Sequence, residues 1–288
     1  MKQQKLTFLL TLLLSMICIK SYAHDIEVKN ADGVTIYYNW INDSTELEVT
    51  YLGNHYYTRG YQGNIVIPET VNYNGKTYPV KSIGLRAFHD CTGLSSVTIP
   101  NSVTSIDYAA FANCFNLVHV NFPNSLESIG EYAFGYCTSL TSIVIPNRVN
   151  TIESFACYGC SGLTSVTIPN SVTSIGDRVF KDCSNLREVV SYNNNPSDIS
   201  PYNWEGVNNS IPLYVPFGTK EFYQNTPGWN YFTNIIEMDK DQSDIKAISN
   251  IGSLIDNYDL KGHRLNAPQK GLIIIRMSDG TTKKVLVK

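Results

Sequence analysis

Leucine returns every 23 residues through the middle of this chain, at Leu94, Leu117, Leu140, Leu163 and Leu186. Proline keeps the same interval at Pro100, Pro123, Pro146 and Pro169, and cysteine keeps it at Cys91, Cys114, Cys137, Cys160 and Cys183. A unit this short cannot bury an apolar face alone, so consecutive units must stack and the chain winds into a solenoid. Each repeated position then becomes a column along the rod. Folds of this kind offer long regular surfaces, which suit binding better than catalysis.

The unit reads L-x-x-V-x-I-P-N-S-V-x-S-I-G-x-x-A-F-x-x-C-x-x, and it is plainest from Leu163 to Asn185. In Val97-Thr98-Ile99 the apolar residues alternate, as in a strand with one buried face, and the proline that follows cannot donate to a ladder. A second alternating pair, Val103 and Ile106, predicts an extended segment. Glycine then opens a short stretch such as Glu131-Tyr132-Ala133-Phe134, expected to make about one helical turn. The expected fold is mainly β, a solenoid of 23-residue coils with β caps.

The pattern resembles the BspA-type leucine-rich repeat of bacterial secreted and surface proteins. The resemblance rests on Leu163, Val166, Ile168, Pro169, Val172, Ile175, Gly176, Phe180 and Cys183 and on their equivalents in four full units spanning residues 94–185. A wider unit precedes them, with Ile65, Ile67 and Pro68 matching the strand and Ile83, Gly84, Ala87, Phe88 and Cys91 matching the rest. Asn72 to Pro79 interrupts that unit with an Asn-Gly turn signal.

Residues 1–23 combine Lys2 and Lys5, an apolar run from Leu6 to Ile19 and Ser21-Tyr22-Ala23, the form of a secretory signal peptide. The mature chain is expected to begin at His24, with the protein secreted or held on the outer cell surface. Cys18 is a poor lipidation site because bulky Ile17 precedes it. No later stretch approaches 18 consecutive apolar residues, so no transmembrane segment is expected. Removing Lys2, Lys5 and Lys20 takes the formal charge from -3 to -6, a balance that argues against a nucleic-acid partner.

The six cysteines that remain after cleavage, in an oxidising compartment, suggest disulfides, but periodicity argues for buried thiols. Equivalent residues of stacked coils lie about 4.8 Å apart with parallel side chains, whereas a disulfide needs Cβ atoms about 3.8 Å apart and turned together. Cys157-Tyr158-Gly159-Cys160 forms a C-x-x-C, yet Cys160 belongs to the column and Cys157 occupies the slot held elsewhere by Phe88, Phe111, Phe134 and Phe180. No second C-x-x-C is present to complete a zinc site. Phe155 is expected to turn inward and fill the volume that Cys157 leaves.

Signals of catalysis are weak. The histidines, at positions 24, 55, 89, 119 and 263, show no metal-ligand spacing, and there is neither a G-x-S-x-G elbow nor a phosphate loop. No catalytic residue, cofactor or metal site is expected. Carboxylates such as Glu127, Glu131, Glu153 and Asp177 fall at variable positions, although two of them could meet from distant coils.

The outward residues of the first strand are Ser96, His119, Ser142, Ser165 and Glu188, then Thr98, Asn121, Val144, Thr167 and Val190. They predict flat, hydroxyl-rich ladders, which serve either a ligand or simply the liking of Ser and Thr for exposed strand positions. Phe115, Tyr136 and Tyr158 break the repeat near its turns, and unrepeated aromatics in a repeated frame are candidate contact residues. The candidate surface is therefore Phe115, Tyr136, Tyr158, His119, Ser142 and Ser165.

The flanks differ from the coils. Residues 24–61 contain two strand-like runs about Asn42-Asp43-Ser44 and read as a hairpin cap, followed by the solenoid over 62–190. Residues 191–238 resemble the terminal cap common in this family, with Tyr223, Trp229, Phe232 and Ile235 as its core. Beyond the polar linker Asp239 to Ser243, the stretches from Tyr258 to Arg264, Lys270 to Arg276 and Lys283 to Lys288 resemble the C-terminal sorting domain of type IX secretion. That resemblance implies contact with secretion machinery; an ordinary terminal β hairpin is the alternative. The family resemblance implies binding of a protein or glycan in adhesion. A carbohydrate-acting accessory protein or hydrolase, and a self-associating spacer, are the competing expectations.

Overall fold

The computed structural model describes residues 24–51 and 60–238, together with the backbone of four C-terminal strands. The leader expected at 1–23 and the linker expected at 239–243 lie outside the described residues. The repeat winds as a solenoid with its recurring apolar positions inside. All five column leucines are buried, as are the strand residues Val97, Val120, Ile143, Val166 and Val189.

Three sheets run along the rod. The second extended segments, Ser105–Ile106, Ser128–Ile129, Thr151–Ile152 and Ser174–Ile175, pair in parallel at identical repeat positions. Their sheet continues through Lys76–Ile83 into the N-terminal cap, where Thr35–Ile41 and Glu46–Thr50 pair antiparallel. The turn between them takes Asn42, Asp43 and Ser44 into the left-handed region, which Asn and Asp tolerate best among residues with a Cβ. In the insertion, Thr70–Tyr73 and Lys76–Ile83 form a hairpin about Asn74-Gly75, both at positive φ as a tight two-residue turn requires.

The first strands form two separate sheets. Gly63–Val66, Leu94–Thr98 and His119–Asn121 make one; Ser142–Val144, Ser165–Ile168, Glu188–Ser191, Pro212–Val215 and Asn234–Glu237 make the other. At the break Phe122 stands where other coils carry isoleucine, with its ring edge-on to Phe134 at 5.5 Å. The outward ladder is thus interrupted between His119 and Ser142. A second departure is Val190, expected outward but only 4% exposed where its strand pairs with Pro212–Val215 of the C-terminal region.

The third face holds the short turns. The helical turn expected there takes the form of consecutive tight turns, closed by bonds such as Ala133 N to Gly130 O and Cys137 N to Phe134 O. Two residues per coil are left-handed. Arg86, Ala109, Tyr132, Phe155 and Arg178 form one such column; Asp90, Asn113, Tyr136, Gly159 and Asp182 form the other. Each L-residue there costs about 1–2 kcal/mol. In return the backbone pairs with the next coil, as in Tyr132 N to Ser154 O, Phe134 N to Ala156 O and Tyr136 N to Tyr158 O, so few buried amides go unpaired.

Inside this face the phenylalanines stack. Phe88 lies on Phe111 at 4.8 Å and Phe111 on Phe134 at 5.2 Å, with rings within 8° of parallel. Tyr61 extends the stack at one end and Trp204, 5.0 Å from Phe180, extends it at the other. Next to Trp204, buried Asn203 accepts from Val179 N at 2.6 Å and donates to Gly176 O at 3.0 Å, so a side chain supplies the pairing the next coil's backbone would make. Cys157 interrupts the stack, buried as packing. Phe155, however, does not turn inward: it is half-buried and lies flat on Tyr132 at 4.6 Å, because its left-handed backbone directs it to the outer edge.

All six cysteines among the described residues are free and buried. The thiols of Cys114, Cys137 and Cys160 donate to the carbonyls of Phe88, Phe111 and Phe134, one coil back, at 2.9–3.1 Å. A small donor in an apolar slot explains why the column is cysteine and not alanine. Burial raises the Cys91, Cys137 and Cys183 thiols well above the usual range; a hydrogen bond with Cys160, then burial, does so for Cys157. A raised folded-state pKa stabilises the fold fully below the unfolded thiol's value near 8.5, and the stability is lost as pH climbs above it, because the unfolded chain ionises first. We expect a maleimide to label the native protein only after denaturant, and the thermal midpoint to fall above about pH 8.5. Rapid native labelling would place the column on the surface.

At the C-terminal end Asp256–Tyr258, Arg264–Leu265, Gly271–Arg276 and Thr282–Val287 form a four-stranded antiparallel sheet.

Candidate functional site

The left-handed columns push side chains outward, and the sequence places aromatic and arginine residues there. Tyr132, Phe155 and Arg178 occupy one repeat position on successive coils. Tyr132 and Phe155 stack with 1° between their planes, and the Arg178 guanidinium lies over Phe155 at 5.8 Å and over Tyr202 at 5.0 Å. Tyr108 meets Tyr132 edge-on at 6.2 Å, with Arg86 5.7 Å from its ring centre. An aromatic run flanked by two arginines therefore follows one edge of the rod.

The second left-handed column joins it through Tyr158, which contacts Tyr132, Phe155 and Tyr136. Tyr136 and Tyr158 meet at 5.2 Å, nearly perpendicular. Their packing depends on glycine: a Cβ on Gly159, which sits at φ +68°, would come 2.7 Å from the Tyr136 ring. The hydroxyls interact too. A hydrogen bond with Tyr136, then burial, pushes the Tyr158 hydroxyl up to about 12, and burial raises Tyr132.

Of the three aromatics picked out by their irregularity, Tyr136 and Tyr158 come together, both at the exposed edge. Phe115, 43% exposed, makes no ring contact with them among the described residues. It occupies the repeat position of Thr138, two places past the left-handed column, and Thr138 Oγ1 donates to its carbonyl at 3.4 Å. Tyr108, Tyr132, Phe155, Arg86 and Arg178 are the additions made by the structure. Their signal was the 23-residue interval itself, which aligns Tyr132, Phe155 and Arg178 although three residue types hide it.

On the strand face, Ser142 and Ser165 are paired in register, whereas His119 belongs to the other sheet and its Nε2 lies 2.6 Å from Asn121 Oδ1. Many hydroxyls elsewhere on the coils are spent within the fold. Ser125, Thr164, Ser171 and Thr173 donate to carbonyls one coil back, at 2.6–3.3 Å. That accounts for much of the serine and threonine content without a ligand. Among the described residues no group of three or more His, Cys, Asp or Glu is placed to hold a metal ion, and no helix is long and apolar enough to cross a membrane.

Known proteins agree with the coil architecture. Residues 50–187 match the BspA type leucine rich repeat region in six copies. No curated protein matches in sequence. Among solved structures, a leucine-rich repeat protein from Bacteroides ovatus is similar at 27% identity and a TM-score of 0.50, the match covering 64% of this chain and 54% of that one. A leucine-rich repeat protein of T. pallidum has 24% identity and a TM-score of 0.49, over 70% and 80% of the two chains. A leucine rich cell surface protein from Faecalibacterium prausnitzii has 19% identity and a TM-score of 0.37, over 73% and 72%.

Proposed function

From the match of residues 50–187 to the BspA type leucine rich repeat region, we propose that this chain is an exported binding protein whose aromatic edge engages a protein partner outside the cell. The observation that carries the reading is the run Tyr108, Tyr132, Phe155, Tyr158 and Tyr136 between Arg86 and Arg178. Tyrosine and arginine dominate the energetic centres of protein interfaces, and here neighbouring coils already hold them in place, so little side-chain entropy is lost on binding.

The ring orientations favour a protein over a sugar at this edge. Phe155 has Tyr132 on the coil before it and Arg178 on the coil after it, so the stack offers edges and hydroxyls to solvent instead of ring faces. The leader at 1–23 and the C-terminal β sheet, with its resemblance to a type IX sorting domain, supply export in this reading. Adhesion to a host or matrix protein is the corresponding role.

Replacing Tyr132, Phe155 and Tyr158 together by serine should abolish attachment to the best hit on an array of matrix and cell-surface proteins, with the fold retained by circular dichroism. Attachment that survives this change rejects the aromatic edge. A loss produced instead by His119, Ser142 and Ser165 variants would move the site to the strand face.

A further inference from the structure

The proline column Pro100, Pro123, Pro146 and Pro169 reaches its next position at residue 192, and tyrosine stands there. A recess of about 410 Å³ opens on the preceding coils at this point, with Ile145 and Pro169 as apolar lining, Tyr192 as aromatic lining, and Asn147, Thr167 and Asn170 as polar lining. We propose that it is a subsite for a neutral pyranose of a glycan. It is separate from the aromatic edge and does not depend on the protein partner proposed there.

The charge of the lining limits the ligand first. No ionisable side chain other than the tyrosine borders the recess, so a carboxylate, sulfate, phosphate or ammonium group would lose hydration there without gaining a counter-charge. Its volume lies in the range of small-molecule sites, about 300–1,000 Å³. The lining is also amphipathic. A pyranose matches this, with apolar C–H groups on its faces and hydroxyls, each both donor and acceptor, around its rim.

The hydrogen-bonding capacity left on the walls points the same way. The side chains of Asn147 and Thr167 form no hydrogen bond among the described residues. Asn170 uses its Oδ1 on Asn194 N at 3.2 Å and keeps its amide hydrogens, while Ser171 gives its hydrogen to Val149 O at 2.7 Å and keeps its lone pairs. Donors and acceptors thus converge from two successive coils.

The site is also held in shape before any ligand arrives. Tyr192, which lines the recess, donates its backbone N–H to Ile168 O at 2.9 Å, and its hydroxyl is buried. On one side of it Ser191 is hydrogen-bonded to Tyr223 at 2.6 Å; on the other, Asn193 donates to Val172 O at 2.9 Å. Such anchoring reduces the ordering cost of binding.

The test is a titration of isotope-labelled protein, followed by amide shifts, with oligosaccharides ending in glucose, galactose or N-acetylglucosamine, and in parallel with sialylated and sulfated ones. We expect at least one neutral sugar to shift the amides of Ile145, Asn147, Thr167, Asn170, Ser171 and Tyr192. Asn147→Ala and Tyr192→Ala should each weaken that binding about tenfold or more, whereas serine at Tyr132, Phe155 and Tyr158 leaves it unchanged. If Tyr192→Ala lowers the thermal midpoint, Asn147→Ala decides, because that side chain is exposed and supports nothing in the fold. The proposal is overturned if no neutral sugar moves these amides, if only charged sugars do, or if Asn147→Ala binds like the parent protein.

Discussion

Phe134→Ala is expected to cost about 3–5 kcal/mol, the range for emptying a buried aromatic slot, while Tyr136→Ala two residues away costs about 1 kcal/mol or less. Phe134 is fully buried between Phe111 and the Cys157 position, with Phe122 edge-on to it, so its removal opens a void at the middle of the stack. Tyr136 is 43% exposed and loses only its contacts with Tyr158 and Gly159. The consequence should be cooperative, because each coil is stabilised by the interfaces on both sides of it. Chemical denaturation followed by far-UV circular dichroism reads both variants, and equal losses would show that the inward face is misassigned.

Gly176→Ala should destabilise by about 1–3 kcal/mol, whereas Glu153→Ala, at the equivalent position one coil earlier, changes stability by less than about 0.5 kcal/mol. Glycine occupies this position in alternate coils, at Gly84, Gly130 and Gly176, with Asp107 and Glu153 between them. A Cβ on Gly176 would lie 2.4 Å from Ser154 N and 2.7 Å from Ser154 Cα; on Gly130 it would lie 2.8 Å from the Asp107 carbonyl carbon. These neighbours are backbone and cannot swing aside. At these glycines the backbone of the preceding coil lies where a Cβ would stand, whereas Asp107 and Glu153 carry full side chains at the same repeat position. Thermal melts of the two variants check the difference; a neutral Gly176→Ala would mean that the spacing adjusts freely.

The 23-residue interval was enough to read the coil, the inward leucine, valine, phenylalanine and cysteine columns, and the burial of the thiols. Those features follow from stacking identical units, for which a residue's place in the repeat decides its side of the wall. The alternating glycines were equally visible, but not their cause, since the approach of one backbone to another is not written in either segment alone.

The binding edge was legible only in part. Tyr136 and Tyr158 stood out as irregular; Phe155 was expected inside because Cys157 leaves a small side chain in a large slot. A left-handed backbone at residue 155 decides otherwise and turns the ring out onto Tyr132. Likewise the outward ladder reads as continuous in sequence, yet it is broken where Phe122 takes an isoleucine position and closed over where Val190 meets the C-terminal strands. By itself the sequence determined the solenoid, its period and the composition of its core, because these depend on positions that repeat. The tertiary structure alone decided which side chains meet across coils, where the sheet breaks and where a recess opens, because these depend on positions that do not.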